Sequence, residues 1–169
     1  MDWVDLYDEA RRVVGAPHRR GQPIPAGLRM LVVCVWVSDG QGLLLLTKRA
    51  PEKRSCPNTW ENSGGAALAG ERSRQAIARE LYEETGIQAG EESFVLIGSD
   101  KTVDTFYDFY FLRHPVPIGS VRLQEGETCD AKWVTMEEVG DMIAQNLLAP
   151  PIARRFQLQE ELLKTLVHL

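Results

Sequence analysis

Glu80, Glu83 and Glu84 stand at i, i+3 and i+4 in the segment ARELYEETGI. On a helix of 3.6 residues per turn, that spacing puts three carboxylates on one face. Like charges so placed destabilise an isolated helix, and a bound cation is the natural relief. An all-oxygen ligand set selects a hard cation: magnesium, manganese or calcium. Magnesium held by a few carboxylates keeps waters and bridges to substrate phosphates. The glycines before the helix let backbone approach a metal or a phosphate closely. Three glutamates at this spacing also describe a solvated acidic face, so the wider pattern has to decide.

The elements around the glutamates are built to position them. The spacing predicts a helix over residues 73–85, with Ile77, Ala78 and Leu81 as an apolar strip that docks on a sheet. Upstream, MLVVCVWV (30–37) is β-branched and continuous, which fits a strand buried on both faces. Turn residues SDGQG follow, and LLLLTKR (43–49) reads as the return strand of a hairpin. Residues 50–63 form a polar loop that holds Trp60. Downstream, FVLIG (94–98) and the aromatic TFYDFYFLR (105–113) read as a second hairpin, and DAKWVT (130–135) as a short strand. Thr135 and Glu138 make a capping box that opens a helix to about Asn146. Pro150-Pro151 breaks the chain, and apolar repeats over 152–168 give a C-terminal helix. At the other end, Trp3 to Val14 has near-helical apolar spacing stopped by Gly15. An arm over 16–27 follows, with a basic tip at His18, Arg19 and Arg20 that reads as a solvated turn, with a ligand contact as the alternative. Strands interleaved with helices imply an α/β chain with a mixed sheet flanked by helices.

The complete stretch Gly65–Ile87 is more specific than its glutamates. Gly65 is followed by five residues, Glu71, seven residues, Arg79-Glu80-Leu81, one residue, Glu83-Glu84, one residue and Gly86-Ile87. This resembles the Nudix box, G-x5-E-x7-R-E-U-x-E-E-x-G-U with U a bulky aliphatic residue, and all nine defined positions match. The LLLLTKR strand with the Pro57–Trp60 loop upstream, and LQEGETCDAKWVTMEEV downstream, extend the resemblance over roughly residues 28–146.

The resemblance implies an α/β/α sandwich spanning residues 1–169 as one domain, with a core over 28–146, an N-terminal helix and arm over 1–27 and a C-terminal helix over 150–169. It implies Mg2+- or Mn2+-dependent hydrolysis of a diphosphate linked to another moiety, often a nucleoside. Carried over by position, Glu80 and Glu84 are the main metal ligands, Glu83 a direct or water-mediated one, and the Gly64 carbonyl a further contact. Arg79 orients the glutamates, including Glu71, while Gly65 and Gly86 are structural. The general base comes either from the box, at Glu83, or from the downstream loop, at Glu127 with Glu125 as a weaker candidate. Lys48, Arg49, Trp60 and Tyr107 are candidate substrate contacts, each with a surface or core role as its alternative.

Composition sets the outer limits. The length of 169 residues points to one domain, and 44% apolar with 25% charged residues is ordinary for a soluble globular protein. A net charge of −5 argues against binding a nucleic-acid polymer, but leaves nucleotides open. Cys34, Cys56 and Cys129 are odd in number and without a CxxC, so they read as reduced thiols of a cytoplasmic protein. No leader pattern and no apolar run near the roughly 20 residues of a membrane span is present. A homodimer is compatible with the sequence. Two other functions use the same fold: isopentenyl-diphosphate isomerase and a non-catalytic nucleotide-sensing module. The isomerase needs a cysteine where this chain has Gly64, and sensing modules lose box glutamates that are all present here.

Overall fold

The computed structural model describes residues 2–169. Strands β1 (Trp3–Val4) and β2 (His18–Arg19) pair with each other in a small antiparallel ribbon. The main sheet contains β3 (Met30–Ser38), β4 (Leu43–Arg49), β5 (Trp60–Glu61), β6 (Ser63–Ala66), β7 (Val95–Lys101), β8 (Thr105–Arg113) and β9 (Thr128–Thr135). Three helices cover it: α1 (Ser73–Thr85), α2 (Met136–Ala144) and α3 (Pro150–Leu166).

The β3–β4 hairpin opens soon after its turn. Ser38 pairs with Leu44, and beyond that point each strand finds another partner. β6 pairs with β3 from Val32↔Ala66 to Val35↔Ser63, while β5 and β9 pair with β4. Residues 60–66 therefore enter the wedge between two diverging strands, which is where Gly64 and Gly65 lie. On its other edge β3 runs parallel to β8, from Met30↔Thr105 to Ser38↔Arg113, so the sheet is mixed.

The period-2 alternation of β3 splits the core into two layers. Leu31, Val33, Val35 and Val37 pack with Ala76, Ile77 and Leu81 of α1. Trp36, with Leu44, Leu46 and Phe111, packs with Val139 and Met142 of α2 and with Ile152, Phe156 and Leu163 of α3. The expected α/β/α sandwich is what forms. Ile77 and Leu81 are fully buried, each contributing about 1.5–3 kcal/mol to holding α1 in place. Gly86 ends α1 in the left-handed region at φ 72°, its N–H donating to the Tyr82 carbonyl.

Two expectations are corrected. No helix forms over residues 3–14. The Asp8 carboxylate accepts from the backbone N–H groups of Ala10 and Arg12, at 2.9 and 3.0 Å, making a local turn that competes with helix. Arg11 then takes a positive φ of 58°. Tyr7 exchanges backbone hydrogen bonds with Arg29 at 2.8 and 2.9 Å, and sheet-like pairing overrides the apolar spacing. The second correction is at Pro150-Pro151, which opens α3 rather than breaking the chain before it. Proline at the first helical positions loses no intrahelical hydrogen bond. Smaller shifts occur at β7, which begins at Val95 and runs on to Lys101, and at α2, which stops at Ala144.

The N-terminal segment is pinned by Asp108, a buried carboxylate in the middle of β8. Arg11 donates to both of its oxygens at 2.9 Å, and Ser73 and Ser99 donate at 2.6 and 2.8 Å. Burial opposes the charge on Asp108, but the hydrogen bonds from Arg11, Ser73 and Ser99 outweigh it and hold the carboxyl below its usual range. A depressed carboxylate pKa contributes stability that is full above the unfolded value and is lost as pH falls through the folded one. Asp108→Asn is therefore expected to lower stability at neutral pH by about 2 kcal/mol. It should also flatten the loss of stability below about pH 4, as read by thermal unfolding across pH.

Candidate active site

α1 delivers its carboxylates beside the Gly64-Gly65 strand. The side of the helix carrying Ile77 and Leu81 is committed to the sheet, which leaves Glu80 and Glu84 against β6 and Glu83 at the edge. Glu84 is 8% exposed and accepts from the Gly64 N–H at 3.2 Å. Burial pushes the Glu84 carboxyl well above its ordinary range, and the charges of Glu61 and Glu80 push it further. Burial also raises Glu80, against the pull of Arg79.

Arg79 is the counter-charge. Its guanidinium donates to Glu71 at 2.7 and 3.0 Å, to Glu80 at 3.0 Å, to Glu83 at 3.1 Å and to the Ala66 carbonyl at 3.1 Å. This fork ties the start of the box, the end of β6 and the helix face together. Glu71 in turn accepts from the Leu68 N–H at 2.8 Å. Burial works against the charge on Glu71, yet the bond from Arg79 holds its carboxyl below the usual range.

The glycines are needed for close approach. A Cβ on Gly65 would lie 2.5 Å from the Glu80 carboxylate, the mobile end of a side chain. A Cβ on Gly64 would lie 2.2 Å from the Val33 carbonyl oxygen and 2.8 Å from the Cys34 Cα, which are backbone atoms. Gly65→Ala is thus expected to fold while displacing Glu80, cutting turnover about 10–100-fold with little change in thermal midpoint. Gly64→Cys forces the β3–β6 pair apart and should cost about 3 kcal/mol of stability. Denaturant titration beside a turnover assay separates the two effects.

A cavity of about 710 Å³ opens over these residues. Gly64, Gly65, Arg79, Glu80, Glu83 and Glu84 line one part, and Arg49, Lys53, Arg54, Glu127 and Arg20 line others. Glu127 and Lys53 form an ion pair across it, and the Glu127 carbonyl accepts from the Ala50 N–H at 2.9 Å. The downstream loop therefore comes to the box, as the sequence implied for Glu127, whereas Glu125 does not line the cavity.

Not every expected substrate contact arrives there. Arg49 lines the cavity, donating to both oxygens of Glu61 at 2.9 Å. Lys48 is next to it on β4, and successive strand residues face opposite ways. Its ammonium instead lies 6.0 Å from the centroid of the Trp60 ring, which Lys132 approaches to 4.5 Å. Trp60 is buried in the layer under α2 and α3. Lys48 and Trp60 are thus corrected to a sheet-face and core pair. Tyr107 lines a smaller, adjoining cavity.

One site residue escaped the sequence reading, and a second was given the less site-like of its two readings. Glu61 sits in a segment that looked merely polar, yet it is half-buried. Burial pushes its carboxyl up, against the Arg49 charge, and its own charge acts on Glu84. Its signal was strand alternation: if Trp60 faces the core, Glu61 faces the other way. Arg20, read as a solvated turn, lines the cavity because the β1–β2 ribbon folds over it, and its charge acts on Glu80.

Among the described residues, no three His, Cys, Asp or Glu side chains are gathered closely enough to cage an ion by themselves. The donor set nonetheless fits a hard cation. Glu84 is a buried and Glu80 a half-buried carboxylate, each raising the other's cost of ionisation, and both line a cavity with room for water and phosphate oxygens. Thiol chemistry has no comparable support. Burial pushes the Cys34 thiol up to about 12, and all three cysteines are unpaired. No helix among the described residues is long and apolar enough to cross a membrane.

Comparison with known proteins agrees with this geometry. A Nudix hydrolase of Listeria monocytogenes, itself uncharacterized, is 36% identical over 140 residues, covering 82% of this chain and 83% of its own. An isopentenyl-diphosphate Delta-isomerase of Mycolicibacterium vanbaalenii is 28% identical over 144 residues, covering 80% of this chain and 78% of its own. The crystal structure of DR0079 from Deinococcus radiodurans superposes with a TM-score of 0.74 at 23% identity, over 98% of this chain and 99% of that one. Residues 28–156 match the NUDIX domain, and with a box complete in every position this chain belongs to the Nudix hydrolase family.

Proposed function

We propose that the protein hydrolyses the pyrophosphate bond of a nucleoside diphosphate linked to another moiety, or of a related organic diphosphate, with Mg2+ or Mn2+ as cofactor, in the cytoplasm. The observation that carries this reading is Glu84, a buried carboxylate crowded by Glu61 and Glu80 at a cavity whose other walls bring Arg20, Arg49, Lys53 and Arg54. Crowded carboxylates facing arginine and lysine side chains, with Asp2, Glu52 and Glu127 among them, make sense where a divalent ion and a polyphosphate bind together.

In this reading Glu80 and Glu84 are the main ligands, with Glu83 and the Gly64 carbonyl completing the set. The ion supplies neutralisation of phosphate oxygens and a lowered pKa for water. Arg79 holds Glu71, Glu80 and Glu83 in register, so little reorganisation is needed at the moment of reaction. Lys53, Arg49 and Arg20 meet the remaining phosphate charge. A water oxygen attacks phosphorus, the bridging P–O bond breaks, and the water's proton passes to a carboxylate. Glu127, paired with Lys53, and Glu83, at the edge of the helix, are the candidates to accept it, since both line the cavity.

The isomerase reading loses ground on geometry. Its cysteine would have to stand at residue 64, where a Cβ meets backbone at 2.2 Å. The test is a panel of nucleoside triphosphates, ADP-ribose, dinucleoside polyphosphates, nucleotide sugars, coenzyme A and isopentenyl diphosphate, with Mg2+ and with chelator. Metal-dependent release of a phosphorylated product from at least one of them is expected. Isomerised isopentenyl diphosphate without phosphate release would overturn the proposal.

A further inference from the structure

The loop between β6 and α1 has to place Glu71, because Glu71 in turn holds Arg79. The destinations of its backbone N–H groups account for its shape. The Ala67 N–H donates to the Leu31 carbonyl at 2.9 Å, and the Leu68 N–H to the Glu71 carboxylate at 2.8 Å. The next two go to the N-terminal segment. The Ala69 N–H donates to the Trp3 carbonyl at 2.8 Å, and the Gly70 N–H donates to the Asp5 carboxylate at 2.7 Å. The Glu71 N–H then returns to the Leu68 carbonyl at 3.0 Å.

The turn at Ala69-Gly70 has little else to hold it. Gly70 takes φ 82°, and a Cβ there would meet nothing within 4 Å. The turn is open on that side, so hydrogen bonds rather than packing fix it. The anchor itself is firm. Val4 and Leu6, on either side of Asp5, are buried with Ala66 at the end of β6, and Met30 and Val32 of β3 pack against them. The Tyr7–Arg29 exchange and the Arg11–Asp108 pair fix the chain that follows.

From Asp5 the contacts run without a break into the box. Asp5 holds Gly70, the adjacent Glu71 holds Arg79, and Arg79 holds Glu80 and Glu83. We propose that Asp5 is a positioning residue for the reaction: by fixing the turn at Gly70 it places the Glu71 carboxylate, and through Arg79 it sets the direction of Glu80 and Glu83. The proposal rests on the diphosphate-hydrolase reading for the reaction, though not for the placement of the glutamates. It makes the N-terminal segment, which lies upstream of the residues shared with the family, a working part of the site rather than a surface extension.

The test compares Asp5→Ala, which removes the acceptor, with Asp5→Asn, which keeps an amide oxygen in its place. Mn2+ affinity is read without substrate, from the spin resonance of the free ion. Turnover on the best substrate of the panel is read as kcat and KM. Asp5→Ala should weaken Mn2+ binding and lower kcat, each by about tenfold, with KM changed by less than about twofold. Its thermal midpoint should fall by no more than about 2–4 °C, the effect of one hydrogen bond. Asp5→Asn should recover most of both losses. In a Glu71→Gln background, where Arg79 is already slack, Asp5→Ala should add less than about twofold. Unchanged Mn2+ affinity and kcat in Asp5→Ala overturn the proposal. So does an equal loss with and without Glu71→Gln, because a general weakening of the fold adds in both backgrounds. If nothing in the panel is hydrolysed while Mn2+ binding follows these expectations, Asp5 keeps its role and the hydrolase reading fails instead.

Discussion

Glu84→Gln is expected to lower metal-dependent hydrolysis by about two to three orders of magnitude, while raising the thermal midpoint of the metal-free protein. Both effects come from one position. The glutamine keeps an amide oxygen for the Gly64 N–H and nearly the same volume, so packing and the β6 contact survive. What disappears is a negative charge that burial and the neighbouring Glu61 and Glu80 already oppose. Removing such a charge stabilises by something of the order of 1 kcal/mol, a rise of about 2–4 °C for a chain of this size. The ion would lose a principal ligand. Thermal unfolding in chelator beside a hydrolysis assay reads both quantities. Retained activity, or a fall in midpoint with the activity loss, would refute the view of Glu84 as a functional charge held at a structural cost.

Arg79→Ala is expected to do the opposite to stability while also removing activity. Its guanidinium is the only cation bonded to Glu71 and Glu80 among the described residues, and truncation leaves two largely buried carboxylates unpaired. Removing one partner of a buried pair costs about 3–5 kcal/mol. With the Arg79 side chain 22% exposed, solvent softens this toward about 3 kcal/mol, or roughly 6–12 °C in midpoint. Arg79→Lys keeps the charge but cannot reach Glu71, Glu80, Glu83 and the Ala66 carbonyl together. It should recover much of the stability and little of the turnover. If Lys restored both, the fork would matter only as a charge. A double-mutant cycle with Glu71→Gln would then locate the coupling.

The helix Ser73–Thr85 could be read directly, because its evidence is local. Apolar residues, glutamates and the terminal Gly86 all repeat with the period of the element that carries them. The core strands β3 and β4 were legible for the same reason. The N-terminal segment was misread because local spacing was the only signal there. The Asp8 turn, the Tyr7–Arg29 exchange and the Arg11–Asp108 pair override that spacing, and the last two link residues far apart in the chain. Pro150-Pro151 was misread in the other direction, since a proline pair both ends and begins helices and only the following turn distinguishes the two cases.

By itself the sequence determined the family of this protein: a complete box whose last three glutamates fall on one helix, an acidic loop downstream, and a glycine where a catalytic thiol would otherwise stand. These are matters of residue type and spacing, and a helix converts spacing into geometry without outside help. The tertiary structure alone decided what surrounds that chemistry. Divergence of β3 from β4 opened the wedge that seats Gly64 and Gly65. Strand alternation sent Arg49 and Glu61 to the site and Lys48 and Trp60 away from it. The folding over of the β1–β2 ribbon brought Arg20 to Glu80, and the packing of α3 brought Arg155 to Tyr107. Each of these depends on contacts between segments distant in the chain, and burial and charge at such contacts are properties of the assembled layers that no local window contains.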